Sequence, residues 1–195
     1  MTRYISIDCA TKSIAVSVIE YNKEHIDLQK PETLSNLKVI KTMTKNLARN
    51  RANASISEVQ RVKLINDFVE AELDQYIDKE VVILLEKQIA TTPTYICYIA
   101  LMSLFVQRDL KVITIAPAFK NQLVIADEKI GKYLQKYPTS YTANKEHSRA
   151  MSRLICLRLT DSCNISFDKK METDFADSLC QLLALIILKP YVQNN

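Results

Sequence analysis

The 195 residues carry 26 Lys and Arg against 22 Asp and Glu, a net charge of +4, and 48% of them are hydrophobic, enough apolar surface to bury one sizeable core. A single glycine, Gly131, leaves no way to write a phosphate-cradling P-loop, a dinucleotide fingerprint or a nucleophile elbow, each of which needs glycines at a tight turn. Only two histidines, His25 and His147, and no Cys-x-x-Cys pair argue against a structural zinc cluster, so chemistry falls to Asp, Glu and Lys.

The chain opens on Tyr4–Asn22, where Ile5 and Ile7 alternate with Ser6 and Asp8, and a β-branched run follows over Ile14–Ile19. That is the pattern of a strand hairpin, with Asp8 near the end of a buried strand. Entering a strand at once leaves no room for an export signal, and the apolar stretch Leu179–Leu188 is too short to cross a bilayer. Next, the sequence predicts a strand near 37–42, overlapped and followed by a basic stretch with Lys38, Lys41, Lys45, Arg49 and Arg51, read as a solvated connector placed to meet a polyanion. Ser57-Glu58-Val59-Gln60 has the form of a capping box. Apolar residues from Val59 to Ile77 at helical spacing then predict a long amphipathic helix.

Val81–Leu85, apolar throughout and closed by Glu86, reads as an interior strand covered on both faces. Thr92-Pro93 predicts a helix start, with Thr92 as cap, and the body Tyr95–Val106 is apolar almost all round and reads as deeply packed. Val112–Ala116 reads as a third buried strand and Phe119–Tyr137 as a helix interrupted at Gly131. Asn144–Leu159 and Thr173–Lys189, the latter capped by Thr173 and stopped by Pro190, complete the helices. A strand hairpin followed by alternating helices and strands predicts one α/β domain over residues 1–195, with a mixed sheet. Five cysteines, odd in number and mostly within apolar segments, predict buried thiols in a reducing compartment.

Four acids stand out. Asp8 ends a buried strand, Glu86 ends an interior strand where α/β sheets bind ligands, and Asp174 and Asp177 share one face of the last helix. Acids in a first turn are also favoured by the helix dipole, and an Asp beside a turn can serve its backbone alone. Converging at one sheet edge, however, the four could not all stay ionised without cations between them. An oxygen-rich, histidine-poor site suits Mg²⁺ or Mn²⁺, and two such ions serve phosphodiester hydrolysis. Lys145, Arg149 and Arg153 recur every four residues, either as a solvated face or as a row for phosphates, and Lys120 is a further basic candidate at the same sheet edge.

The pieces Ser-Ile-Asp at 6–8, Val-Val-Ile-Leu-Leu-Glu-Lys-Gln at 81–88, Val-Ile-Thr-Ile-Ala-Pro at 112–117, Ala-Asn-Lys-Glu at 143–146 and Lys-Lys-Met-Glu-Thr-Asp-Phe-Ala-Asp-Ser at 169–178 resemble the poxvirus-type Holliday junction resolvases. Those are relatives of the bacterial RuvC resolvases. The resemblance implies a ribonuclease H-like fold and a homodimer that resolves four-way junctions and branched viral replication intermediates in the host cytoplasm. It implies Asp8, Glu86, Asp174 and Asp177 as metal-binding acids for two Mg²⁺, with Mn²⁺ as substitute, and Lys145 as the lysine that supports the scissile phosphate. Lys120 resembles a second basic position of the bacterial relatives. Where the family usually carries glycine after the first Asp, this chain has Cys9-Ala10-Thr11. Two other readings share the residues: a nuclease of the same fold cutting RNA–DNA hybrids or flaps, and a non-catalytic module that binds branched DNA by shape. In a third, an interaction protein, the acids only cap helices.

Overall fold

The structure, a computed structural model, describes residues 1–10, 13–27, 30–47, 57–90, 92–123, 150–151 and 172–188. Its frame is a five-stranded mixed sheet in the order β3-β2-β1-β4-β5. The opening alternation forms β1 (Thr2–Cys9) and β2 (Ser13–Tyr21), antiparallel from Thr2 opposite Tyr21 to Cys9 opposite Ile14. The Ala10 N–H donating to the Ser13 carbonyl at 2.8 Å closes the turn. Strand β3 (Leu37–Asn46) pairs with β2, with a bulge between Val18 and Ile19. It runs farther than the residues near 37–42 predicted from sequence. Lys38, Lys41 and Lys45 belong to this strand rather than to a connector, and all three are exposed. Charge on an edge strand is a common guard against pairing with another chain.

Strand β4 (Val82–Glu86) is parallel to β1, and β5 (Lys111–Ile115) is parallel to β4, with Glu86 opposite Ile115. Every β4 residue is buried because both sheet faces are covered. On one face Ile5, Ile7, Val16, Ile83 and Leu85 meet Ile65 and Phe68 of α1 (Glu58–Phe68) and Leu101 and Phe105 of α2 (Thr94–Gln107). On the other, Tyr4, Ile19 and Leu84 meet Leu179, Leu182 and Leu183 of α3 (Glu172–Leu188).

The predicted capping box is present: the Gln60 N–H donates to Ser57 Oγ, while Ser57 N–H donates to the Gln60 side chain. After Phe68 the helix loosens into a π-helical turn over Val69–Leu73 and a 3₁₀ turn over Asp74–Tyr76. Five expectations need correction. Helix α2 begins at Thr94 with Pro93 as its boundary residue, and the Thr92 hydroxyl instead donates to the Ile89 carbonyl. Its outer face is open, with Ile99 and Val106 exposed, so the deeply packed helix is α3, buried from Ala176 to Ile186. Thr173 lies inside the first turn of α3 rather than capping it. Strand β5 is an edge strand with only Ile115 buried, and the chain after it forms a 3₁₀ turn over Pro117–Gln122 where the helix Phe119–Tyr137 is predicted to start; the rest of that predicted helix, from residue 124 on, lies outside the described residues. The predicted helix Asn144–Leu159 lies outside the described residues except for Ala150 and Met151; Met151 is packed in the core beside α3.

Candidate active site

Strand alternation decides which side chains share the α3 face. On β1 these are Tyr4, Ser6 and Asp8, and on β4 Val82, Leu84 and Glu86. Because Ile7 pairs with Leu85, Asp8 and Glu86 each stand one residue beyond the same rung, on adjacent parallel strands. Asp177 comes from α3, whose next residue is fastened to the sheet: Ser178 Oγ and Ser17 Oγ are hydrogen-bonded at 2.7 Å in the interior. The three acids are 8%, 8% and 3% exposed.

A cation lies among them. Lys120 reaches in from the 3₁₀ turn that follows β5, which the parallel β4–β5 pairing brings beside Glu86. The Lys87 N–H donating to the Ile115 carbonyl at 2.8 Å carries that pairing past the strand end. Lys120 Nζ donates to Glu86 Oε2 at 2.8 Å and lies 3.3 Å from Asp177 Oδ2. Burial alone would lower the ammonium's pKa. The carboxylates of Asp177, Asp8 and Glu86 outweigh it and hold the pKa above the ordinary lysine value.

Three of the sequence-predicted acids and Lys120 are therefore brought to one patch. Asp174 lies in the first turn of α3, one turn before Asp177, with its side chain outside the described residues. Lys145, Arg149 and Arg153 also fall outside them. Among the described residues no three acids or other metal-ligating side chains form a ready-made cation cage. The donor set nonetheless fits a hard divalent cation: it is all oxygen and buried, and it already draws a positive group inward.

Two features support the site from outside the residues predicted for it. Gln88, two residues after Glu86, accepts a hydrogen bond from Thr94 Oγ1 at 2.9 Å and so ties the end of β4 to the start of α2. Beneath the acids, Ser6, Ser17, Ser178 and Gln181 form a buried polar seam between the sheet and α3. Ser6 was visible in the alternation, and Gln181 only as a polar residue in an apolar helix.

No protein-family model matches the chain, and no curated protein matches its sequence. Solved structures do match in fold. The fowlpox virus resolvase in complex with its substrate Holliday junction DNA aligns with a TM-score of 0.60 at 17% identity, covering 94% of this chain and 96% of that one. Thermus thermophilus RuvC aligns at 0.55 and 12% identity, covering 94% of each chain. The yeast mitochondrial Holliday junction resolvase Ydc2 aligns at 0.55 and 11% identity, over 95% of this chain and 78% of that one. A mixed sheet of this order, flanked by helices and aligned over nearly the whole chain, gives this protein the ribonuclease H-like fold of the Holliday junction resolvases.

Proposed function

We propose that the chain is a metal-dependent endonuclease that resolves four-way DNA junctions and related branched intermediates. The observation that carries this reading is the convergence of buried Asp8, Glu86 and Asp177 beside Lys120, at the end of parallel strands in a resolvase fold. A carboxylate group of this kind is costly to bury for structure alone and is suited to cations facing a phosphodiester. Asp8, Glu86, Asp177 and, from the same helix, Asp174 are the residues that would hold two Mg²⁺ or Mn²⁺. Such ions, when bound, clamp the attacking and leaving oxygens of an in-line displacement and help ionise water.

The chain's own contribution is placement. β1 and β4 fix Asp8 and Glu86 one strand apart, the Ser17–Ser178 bond fixes the turn of α3 that carries Asp177, and Lys120 supplies positive charge within the patch. Lys145 is assigned to the scissile phosphate, and Arg149 and Arg153 to flanking phosphates. A homodimer working in the cytoplasm of an infected host would place two such sites on opposed strands of one junction.

The test is cleavage of a labelled four-way junction with Mg²⁺, beside linear duplex, flap and RNA–DNA hybrid, by wild type, Asp8→Asn, Glu86→Gln and Asp177→Asn. Paired nicks on opposed junction strands are expected, lost by more than about 100-fold in each variant while junction binding persists. Cleavage of hybrid or flap with an uncut junction would reassign the substrate. Variants as active as wild type would remove the acids from the reaction.

A further inference from the structure

Among the described residues, Lys120 is a cation that the buried carboxylates already hold. Its ammonium is 2.8 Å from Glu86 Oε2 and 3.3 Å from Asp177 Oδ2, and all three side chains are nearly excluded from water. Those oxygens are the ones the proposed reaction needs for a divalent ion, and a compact ammonium and a divalent ion cannot both take them at full strength. The ammonium is tethered, arriving on a 3₁₀ turn next to Glu86, so it competes without the entropy cost of capturing a free ion.

We propose that Lys120 is a built-in placeholder cation: the divalent ion displaces it from Glu86 or Asp177, and a phosphate of bound DNA receives the released ammonium. This rests on the nuclease reading above and adds how the site is loaded. A lysine suits the exchange, being a point charge on a flexible four-carbon stem rather than a rigid fork fixed to one carboxylate. The consequence is coupling. DNA gives the ammonium somewhere else to go, so DNA binding strengthens ion binding and, by reciprocity, the ion strengthens DNA binding by the same factor. The free protein then loads ions weakly and becomes fully charged only on its substrate.

The test is Mn²⁺ titration by calorimetry of wild type, Lys120→Met and Lys120→Gln, each alone and with the nicked duplex left by cleavage, which offers phosphates but nothing further to cut. Without DNA, the two variants should bind Mn²⁺ about tenfold or more tightly than wild type, as expected for removing a neighbouring charge from a poorly screened site. DNA should tighten Mn²⁺ binding by about tenfold in wild type and by clearly less in the variants. In ¹⁵N-lysine-labelled wild type, the Lys120 ammonium resonance should move in step with Mg²⁺ saturation, a readout that needs no variant to fold.

Variants with unchanged circular dichroism that bind Mn²⁺ no more tightly than wild type would overturn the placeholder role. So would an ammonium signal unmoved by saturating Mg²⁺. In both cases metal-dependent junction cleavage by wild type would stand. A wild type that neither binds Mn²⁺ nor cuts a junction would instead end the nuclease reading, and the placeholder role with it.

Discussion

Cys9 follows Asp8 on β1 yet belongs to the opposite face, where it is buried in the core shared with α1 and α2. Burial first, then the negative charge of Asp8, Cys97 and Glu86, holds its thiol well above the ordinary value of 9.0. The unfolded chain gives up that proton near pH 9 and the folded chain does not, so the stability this thiol contributes is full below pH 9 and falls above it. Urea unfolding between pH 8 and 10.5 should show the decline, by at most about 1.4 kcal/mol per pH unit for this one proton. Cys9→Ala should have a shallower decline; an equal slope would mean that other groups carry it. The hydroxyl pair of Ser17 and Ser178 is a second test at this scale. Ser178→Ala should cost about 1–3 kcal/mol by stranding a buried hydroxyl, and adding Ser17→Ala should restore part of that loss. Additive losses in that cycle would show that the pair does not act as one fastening.

Among the elements, β4 and α1 were the most legible and α2 and β3 the least. A five-residue apolar run has one comfortable place, a strand buried on both faces, and Leu84 and Leu85 are fully buried there. Leu84→Ala should cost about 2–5 kcal/mol in unfolding free energy, because neighbouring strands cannot close over the cavity. Helix α1 announced its own start, since a capping box is local chemistry. Ser57→Ala should cost about 1 kcal/mol, visible as a lower denaturation midpoint with an unchanged slope. By contrast, nothing local says that the strand predicted near 37–42 runs on through Thr44 and Lys45. Their pairing with Ala15 and Ile14 of β2 decides it. Nor does composition say which of two apolar helices is buried: α2 leaves Ile99 and Val106 at the surface, while α3 lies flat against the sheet.

For the whole molecule, the strand order places β1 and β4 inside and β3 and β5 at the edges. Amide hydrogen exchange should therefore be slowest in Ile5–Ile7 and Ile83–Leu85 and faster along Lys111–Thr114. Protection of β5 equal to that of β4 would contradict this ranking. If Arg149 and Arg153 meet phosphates as proposed, replacing either by Ala should weaken binding to all junction sequences alike and reduce the salt slope by about one. The sequence by itself determined an α/β chain, its strand hairpin, its buried β4 and the four carboxylates worth following. Each of these is written in local patterning: a period of two, an unbroken apolar run, or an acid where apolar residues would be cheaper to bury. Only the tertiary structure decided which residues meet. Asp8, Glu86, Lys120 and Asp177 are spread over 170 positions of the chain, and the charge between Glu86 and Asp177 comes from a turn after an edge strand. The physical reason is that a carboxylate's partner is set by parallel pairing and helix docking between distant segments, and no periodicity within one segment encodes them.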